Sequence, residues 1–147
     1  MISIRPATPD DAPAVAELVA ALFTELGGSP DDLMPTARDV LTRDDRVVCF
    51  LACDDERALG VILLSEGYAM FARGLFAQIT ELYVRPEARS HGVAKRLLDQ
   101  AIVVGRLRGW RRIDVGAPPL PKKWARTVDF YRSNGFTDVG PRLKLVL

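Results

Sequence analysis

The sequence predicts a mixed α/β fold, in which a mixed sheet carries helices on both of its faces. Apolar residues recur at helical spacing in four segments and form short aliphatic runs in five others. These segments follow one another in the order ααββ-β-α-β-α-β, which is typical of a sheet covered on both sides. The 147 residues, 48% hydrophobic and 27% charged, are sufficient for a single soluble domain over residues 1–147 with an ordinary core.

Two helices are predicted near the beginning of the chain. The first begins after Thr8, a good N-cap, and ends at the glycines 27–28. Its apolar residues recur at helical spacing: Val15, Leu18, Val19, Leu22 and Leu26. The second begins at 29–32 and ends around Arg43, and Pro35 predicts that it is short or bent.

Three strands are predicted in the middle of the chain. The aliphatic runs 47–53 and 58–65 are joined by the polar turn 54–57 and therefore indicate a hairpin. Residues 66–74 have no clean period, so we expect a loop or a ragged strand end there. Residues 75–84 are again typical of a strand.

The second half of the chain is predicted to contain a helix at 93–108, a short strand at 111–116, a helix at 124–133 and a strand at 142–147. Pro118, Pro119 and Pro121 make the connection before the last helix stiff. Gly135 ends that helix in the left-handed conformation. No repeat or low-complexity segment interrupts this order.

The composition excludes several classes of protein. Cys49 and Cys53 are the only cysteines and His91 is the only histidine, which argues against a disulfide scaffold and against His/Cys metal clusters. The two cysteines are expected to be core residues on one face of their strand. No apolar run approaches the ~18 residues of a membrane span, and no signal segment follows Met1. We therefore expect a cytoplasmic protein with no metal and no membrane partner.

The net charge of +1 conceals an uneven distribution. Residues 1–84 carry 6 arginines, no lysine and 14 acidic residues, whereas residues 85–147 carry 14 basic and 5 acidic residues. Two interpretations remain open at this point. Either the protein has an anion-binding face and a cation-binding face, or the two halves interleave in space and their fields cancel.

The segment after the third strand has the features of an anion site. A strand runs through a loop with Arg89 and Gly92 directly into a helix that carries Lys95 and Arg96. Helix N-terminal amides lack intrahelical partners, and the helix end is partially positive, so this geometry suits a pyrophosphate. The two common phosphate-loop motifs are absent. From these residues alone, a basic turn without a ligand remains the alternative.

Two motifs at a characteristic separation resemble one enzyme family. Arg89-x-x-Gly92-x-Ala94 follows the strand, and Phe130-Tyr131-x-x-x-Gly135-Phe136 follows downstream. Together they resemble the signatures of the GNAT superfamily of N-acetyltransferases, over nearly the whole chain. The chain departs from the family's frequent N-x-x-A-x-x-F-Y pattern. The Asn and Ala of that pattern are here Trp124 and Thr127.

The resemblance implies acetyl-CoA as co-substrate and a mostly antiparallel sheet that is splayed where the cofactor enters. The pantetheine arm is expected to pair with backbone groups of Leu82 and Val84, and the pyrophosphate to lie on the amides of residues 89–95. The implied cofactor-binding residues are Leu82, Tyr83, Val84, Arg89, Ser90, His91, Gly92, Val93, Ala94 and Lys95. His91 is accordingly expected to contact the cofactor rather than to act as a base.

The reaction that the resemblance implies requires proton transfer. A lysine-like amine costs about 4.6 kcal/mol to deprotonate at pH 7, and a carboxylate acting directly or through water relieves that cost. Glu81 is the predicted base, with a solvated or ion-paired strand residue as the alternative. Tyr131 resembles the family's general acid, with a packing residue as the alternative. A backbone amide of the strand 82–84 is the expected oxyanion donor.

The predicted function is acetyl transfer from acetyl-CoA to a primary amine of a small molecule or a peptide. The acidic first half, including Glu25 and Glu66, suggests a wall that attracts a polyamine-like or other cationic acceptor. The main alternative is a non-catalytic acyl-CoA-binding or sensing module. A nucleic-acid binder would use a basic patch of Arg106, Arg108, Arg111 and Arg112, but these arginines surround a helix end and are explained by its dipole. The resemblance also makes a homodimer the expected assembly.

The two tryptophans are interpreted as packing residues. Trp110 follows the helix 93–108, and Trp124 opens the last predicted helix. Trp124 is also a candidate to line the cofactor or substrate groove, because it stands at the family's Asn position.

Overall fold

The structure is a computed structural model that describes residues 1–55, 57–116 and 125–147. These residues form two compact units, Met1–Asp114 and Val115–Leu147. The strands and helices they contain are β1 (Ile2–Pro6), α1 (Ala12–Glu25), α2 (Met34–Leu41), β2 (Val47–Asp54), β3 (Arg57–Ala69), β4 (Gly74–Val84), α3 (Val93–Arg108), β5 (Ile113–Val115) and α4 (Ala125–Ser133). Pro118, Pro119, Pro121 and Trp124, for which predictions were made, lie outside the described residues.

The five strands form one mixed sheet in the order β1-β2-β3-β4-β5. Neighbouring strands are antiparallel from β1 to β4. At the start of β4, the amide of Arg111 donates to Leu75 O at 2.8 Å, and the amide of Ala77 donates to Arg112 O at 3.2 Å. These two bonds advance in the same direction along both strands, so β5 runs parallel to β4. The predicted mixed sheet is confirmed.

Strand β1 was missed by the sequence analysis. It pairs with β2 along its whole length, with Ile4 opposite Ala52. Only Ile2 and Ile4 alternate with polar residues in this five-residue strand, which is too short a pattern to indicate a strand by itself. Residues 2–6 form a strand because they pair with β2.

The helices α1 and α2 begin differently from the prediction. Thr8 caps a single 3-10 turn, Pro9–Asp11, through a capping box with Asp11, and α1 follows it. Pro35 stands in the first turn of α2 and does not interrupt it. With eight residues the helix is short, as predicted, and proline is tolerated in its first turn because the amides there donate no intrahelical hydrogen bond.

The two faces of the sheet are covered by different helices. On one face, α1 and α2 pack on a core that includes Cys49, Leu51, Cys53, Val61, Leu63 and Tyr83. On the other face, a Cβ built on Gly60 would lie 3.3 Å from Leu97 of α3, and Leu97 and Leu98 are completely buried. Helices on both faces, and both cysteines in the core, are as predicted.

The β3–β4 hairpin is longer than the sequence indicated. Strand β3 runs to Ala69, so the expected loop at 66–74 is reduced to a tight turn closed by a hydrogen bond from the Arg73 amide to Met70 O at 3.0 Å. At the tip, Tyr68, Met70 and Phe71 are exposed. Side-chain alternation therefore has no reason to persist there.

The second unit confirms one prediction and contradicts another. Helix α4 ends as predicted, with Gly135 at φ +92° and the Phe136 amide bonded to Tyr131 O at 3.1 Å. Residues 142–147 do not form the predicted strand, although they alternate and favour β structure. A strand needs a neighbouring strand for its backbone bonds, and the described residues of this chain provide none there. No helix within 1–55, 57–116 or 125–147 is long and apolar enough to cross a bilayer.

Candidate functional site

A β-bulge interrupts β4 near its centre. Leu63 of β3 is opposite Glu81, but the next residue, Leu64, is opposite Ile79. Thr80 is therefore an extra residue in β4, and its hydroxyl donates to Leu63 O at 3.3 Å. Bulges redirect side chains and are frequent beside active sites. The sequence signal for this bulge was available, because the adjacent polar residues Thr80 and Glu81 break the polar–apolar alternation that Gln78 and Ile79 begin.

The bulge places Glu81 on the face that α1 and α2 cover. Directly opposed residues of antiparallel strands point to the same side, and Cys49, Leu63 and Glu81 form one such row across three strands. The Glu81 side chain is partly exposed. Burial raises the pKa of the Cys49 thiol to about 12, and the negative charges of Asp11 and Glu81 add to that shift. A carboxylate therefore reaches the edge of this core beside the bulge.

The loop after β4 forms an open cradle of backbone amides. Ser90 and Gly92 have positive φ values of 66° and 73°, and α3 begins at Val93 without a side-chain cap. The first helical bond runs from the Arg96 amide to Gly92 O at 3.1 Å, so the amides of residues 93–95 have no intrahelical acceptor. A Cβ built on Gly92 would meet no atom within 4 Å. We define these amides, with the left-handed turn before them, as the amide cradle, which suits an anion.

Arg89 joins this loop to the end of α1. Its Nη2 donates to both carboxylate oxygens of Glu25 at 2.8 and 2.9 Å, and its Nε donates to Val84 O at 2.8 Å. The guanidinium also lies 5.4 Å from the ring centroid of Tyr83. Burial raises the pKa of Tyr83, and the charge of Glu25 adds to the shift. The Arg89 side chain is thus engaged with protein groups, and the sequence analysis did not predict its partner Glu25.

The other basic residues at the start of α3 also have partners. Lys95 Nζ contacts both carboxylate oxygens of Asp99 at 3.1 Å, and Arg96 Nη1 donates to Ile2 O at 2.8 Å. Both side chains are exposed and already contact other groups of the protein. The loop itself presents backbone amides to an anion, and a contribution of the two cations to the anion site stays a prediction.

His91 lies in the exposed part of the loop. Its Nδ1 is 2.8 Å from Arg89 O. Because a carbonyl oxygen only accepts, Nδ1 carries the proton of this bond, which fixes the tautomer of the neutral ring. A cofactor contact by His91 stays a prediction.

Tyr131 belongs to the second unit, where aromatic rings pack around it. The ring centroids of Phe130 and Phe136 lie 5.4 and 5.3 Å from that of Tyr131, both in edge-to-face geometry. The side chain is 8% exposed, and burial raises its pKa to about 12. The phenol therefore keeps its proton at neutral pH. Glu81 and the amide cradle belong to the first unit.

The acidic and basic halves of the sequence interleave in space. Glu17 accepts from Arg85 at 3.0 Å, and Glu25 pairs with Arg89. The reverse combination also occurs, since Arg57 pairs with Glu87 at 2.8 Å. Of the two interpretations of the charge distribution, interleaving is the one that these pairs support.

Glu66 does not belong to an acidic wall. It is an ion-pair partner of Arg108 and accepts a bond from Trp110 Nε1 at 2.7 Å, and its side chain is only 10% exposed. It lies at the end of α3, since Arg108 is the last residue of that helix. Trp110 in turn packs on Gly105, where a Cβ would lie 2.4 Å from the indole ring. The prediction that Glu66 attracts a cationic acceptor is wrong, because the charge is already compensated.

Two of the four arginines that a nucleic-acid binder would use as a basic patch are also engaged. Arg108 pairs with Glu66, and Arg112 pairs with Asp114 at 2.7 Å and lies 4.6 Å from the ring centroid of Phe71. Within the described ranges, no group of three or more His, Cys, Asp or Glu residues is arranged to hold a metal ion.

Comparison with solved structures finds proteins of the same fold. A transcriptional regulator from Bacillus halodurans C-125 has a TM-score of 0.82 at 20% identity, covering 100% of both chains. A predicted acetyltransferase from Clostridium acetobutylicum, solved with acetyl-CoA, has a TM-score of 0.81 at 19% identity, covering 99% of this chain and 96% of that one. Ribosomal-protein-alanine N-acetyltransferase from Brucella melitensis biovar Abortus 2308 has a TM-score of 0.79 at 19% identity, covering 100% of this chain and 99% of that one.

These similarities show the fold, and the family follows from the sequence. Comparison with curated protein sequences gives no match. The model of the acetyltransferase (GNAT) family matches residues 13–136. This range includes the bulged strand β4, the amide cradle, and both motifs that carry the resemblance. The chain therefore belongs to the GNAT acetyltransferase family.

Proposed function

We propose that this protein transfers an acetyl group from acetyl-CoA to a primary amine of a small molecule or a peptide. The observation that carries the proposal is the open amide cradle directly after the bulged strand β4. The cradle offers an anion three unpaired amides, and a carboxylate stands close by in sequence at the bulge. One solved structure of similar fold contains acetyl-CoA, which supports the choice of co-substrate.

The cofactor is assigned to backbone groups more than to side chains. The pyrophosphate would lie on the amides of residues 91–95, and the pantetheine arm would follow the backbone of residues 82–84. Tyr83 is buried in the core, so only its backbone is available. Arg89 would contribute indirectly, because its bonds to Val84 and Glu25 hold the loop in place. Gly92 leaves the space above the cradle open for a phosphate oxygen.

The chemistry requires one base and one acid. The amine nitrogen attacks the thioester carbonyl, a C–N bond forms, the C–S bond breaks, and the amine proton passes to Glu81 directly or through water. The backbone amides at the bulge around Thr80 and at 82–84 are the proposed oxyanion donors, since the extra residue of a bulge is left out of the ladder. Tyr131 would return a proton to the leaving thiolate. The ordinary pKa of a thiol is about 8.5, which is well below the pKa of about 12 of the buried Tyr131 phenol. Proton transfer from the phenol to the thiolate therefore requires that the thiolate is held away from water, because desolvation raises the pKa of the thiol.

The acceptor is defined here only as a primary amine. The two acids first expected to attract a cation, Glu25 and Glu66, are both paired with arginines. A cationic acceptor therefore no longer follows from these residues. We retain a small-molecule or peptide amine as the acceptor class.

The proposal includes the whole chain as one acetyltransferase domain over residues 1–147, working in the cytoplasm as a homodimer. A non-catalytic acyl-CoA-binding module is the second candidate. It is favoured by one observation, that a structure of the same fold is described as a transcriptional regulator.

The test is thiol release from acetyl-CoA with polyamines, aminoglycosides, amino acids and lysine peptides as acceptors. Glu81→Gln and Tyr131→Phe are compared with wild type, and Glu17→Gln is the matched control because it removes an exposed carboxylate of the same half. A lost acid or base lowers turnover roughly 100-fold or more. We expect that loss in the first two variants, with the CoA-induced thermal shift retained in all three.

The outcomes separate the candidates. A CoA-induced shift without turnover of any acceptor would favour the binding module. Turnover equal to wild type in Glu81→Gln would remove Glu81 from the mechanism, and the same result in Tyr131→Phe would assign Tyr131 to packing. Absence of any CoA-induced shift would contradict the amide cradle as a cofactor site.

A further inference from the structure

Two polar side chains, Ser65 and Gln78, lie opposite each other on neighbouring strands beside the β-bulge. Ser65 of β3 pairs in register with Gln78 of β4, and Val47 of β2 lies opposite Ser65 on its other side. Val47 packs against the core that α1 and α2 cover. Because directly opposed residues of antiparallel strands point to the same side, Ser65 and Gln78 face this side of the sheet as well.

The pair lies one step along the sheet from Glu81. Glu81 is opposite Leu63, and Leu63 and Ser65 are two positions apart on β3, so they share a side. Gln78 and Glu81 are three positions apart in sequence, and they share that side because the bulge at Thr80 adds a residue between them. Two strand positions correspond to about 7 Å. A carboxylate and a neutral polar pair therefore stand on one face, with their backbone positions about 7 Å apart.

The side chains of this pair have no hydrogen-bond partner within the described ranges. Neither the Gln78 carboxamide nor the Ser65 hydroxyl is bonded to a side chain or a backbone group there. Both residues are half-buried, so part of each polar group is removed from water without a compensating hydrogen bond. An apolar pair of the same shape would be more stable at this place. Packing therefore does not account for these two residues, whereas a ligand that supplies the missing hydrogen bonds does.

The next row of the same face is aromatic. Phe76 is opposite Gly67, and a Cβ built on Gly67 would lie 3.1 Å from the Phe76 ring. The ring therefore lies over the glycine, and it is half-buried. A molecule bound along this face would contact the Glu81 carboxylate first, then the polar pair, and then the aromatic ring.

The chemistry of the pair specifies a neutral partner. A carboxamide and a hydroxyl each donate and accept hydrogen bonds, and neither carries a charge. An amide group matches them, because it has an accepting oxygen and a donating nitrogen. We propose that Ser65 and Gln78 bind an amide group of the acceptor, about 7 Å from the primary amine that is acetylated. The inference rests on the proposed function, since it places the reacting amine at Glu81.

Two kinds of acceptor carry this chemistry. In an extended peptide, the amide nitrogen two residues beyond the N-terminal amine is about 7 Å away from it, at roughly 3.3–3.6 Å per residue. A small ω-amino amide with a straight carbon chain, such as δ-aminovaleramide, carries the same two groups at a similar separation. The experiments distinguish these sources by comparing this compound with trialanine amide.

The first experiment measures binding without reaction and is therefore independent of turnover. Each amine is titrated into the protein saturated with CoA, which has no acetyl group to transfer. We expect δ-aminovaleramide to bind roughly 2- to 12-fold more tightly than hexylamine, which has the same length, for each hydrogen bond to the pair. Tighter binding of trialanine amide would assign a peptide as the source. No binding of either amide, or Kd values equal to that of hexylamine, would overturn the proposal.

The second experiment assigns the difference to the pair. Gln78→Leu keeps the approximate volume of the side chain and removes its hydrogen bonds, and Ser65→Ala removes the hydroxyl. Each variant should weaken binding of the amide roughly 2- to 12-fold and leave hexylamine unchanged. Gln100→Leu is the matched control, because it makes the same change at an exposed glutamine of α3. If Gln78→Leu weakens both ligands equally, the pair acts through the structure and the proposal is wrong.

The third experiment changes the specificity instead of removing it. Gln78→Glu has the same shape and adds a negative charge, so an α,ω-diamine of the same length should become a better acceptor than the amide. With acetyl-CoA, these effects should appear in KM with little change in kcat, because the pair does not contact the reacting atoms. An unchanged preference in Gln78→Glu would contradict the assignment. Absence of turnover together with the expected binding pattern would contradict acetyl transfer and support the amide site.

Discussion

Gly92→Ala is the most direct perturbation of the amide cradle, and the same helix supplies its control. Gly92 precedes α3 with φ 73° and ψ 14°, and Gly109 follows it with φ 83° and ψ 25°. A Cβ built on either residue would meet no atom within 4 Å. An alanine in the left-handed region costs about 1–2 kcal/mol. Both variants should therefore lose roughly 2–8 °C in Tm, since 1 kcal/mol corresponds to about 2–4 °C in a domain of this size.

The two variants should differ in their affinity for CoA. At Gly92 the new methyl enters the space that a phosphate oxygen would occupy, whereas at Gly109 it enters solvent. A hydrogen bond to a charged group contributes about 1.5–3 kcal/mol. Loss of one amide–phosphate bond should therefore raise the Kd of CoA roughly 10- to 160-fold. Isothermal titration of CoA measures both constants, and thermal unfolding verifies the equal loss of stability.

The comparison has a clear negative outcome. If Gly92→Ala and Gly109→Ala bind CoA equally well, the amides at the start of α3 do not hold the cofactor. Unequal stability losses alone would not affect that conclusion, because the titration reports on folded protein.

Three further predictions concern stability. Asp11→Asn removes the acceptor of two hydrogen bonds from Arg5. The pairing lowers the pKa of Asp11 from 3.8 to about 2. The stability that the pairing contributes is therefore present above pH 3.8 and is lost as the pH falls toward 2. The free energies of unfolding of wild type and variant, from urea titrations, should differ by about 1–2 kcal/mol at pH 7 and converge near pH 2. Burial raises the pKa of Cys49 from 9.0 to about 12, so the free energy of unfolding should fall by roughly 4 kcal/mol at most between pH 9 and pH 12. Cys49→Ala should reduce that fall. An equal dependence on pH in wild type and variant would show that the thiol is not its cause. Gly105→Ala places a Cβ 2.4 Å from the Trp110 ring and should destabilise by about 1–3 kcal/mol, with no such loss in a Trp110→Ala background.

Local patterns predicted the parts of the fold that local chemistry determines. Helix α3 has the predicted bounds, because its apolar period is long and Gly109 stops it. The β2–β3 hairpin follows from two aliphatic runs around a polar turn. Strand β1 escaped prediction because its stability comes from β2, which is distant in sequence. Residues 142–147 were predicted as a strand from their alternation, but a strand also needs a neighbour that the alternation does not specify.

The candidate site was predictable in its loop but not in its side-chain partners. The glycine at position 92 and the following helix were sufficient to indicate an anion site. The sequence did not show that Arg89 is bonded to Glu25, nor that Glu66 is compensated by Arg108, because both pairs join residues at least 40 positions apart. The charge of a residue is visible in a sequence, whereas the neutralisation of that charge depends on the tertiary fold.

The extra residue in β4 also makes its sequence compatible with a stable core. Ile79 lies on the α3 side of the sheet, and Glu81 lies on the other side only because Thr80 intervenes. In a regular strand, residues 79 and 81 would share a side, and the Glu81 carboxylate would enter the dry layer between the sheet and Leu97. An unpaired buried carboxylate costs several kcal/mol or becomes protonated, and a protonated carboxyl group cannot accept a proton from an amine. The irregularity thus allows one strand to contribute to an apolar core on one side of the sheet and to place a partly exposed carboxyl group on the other.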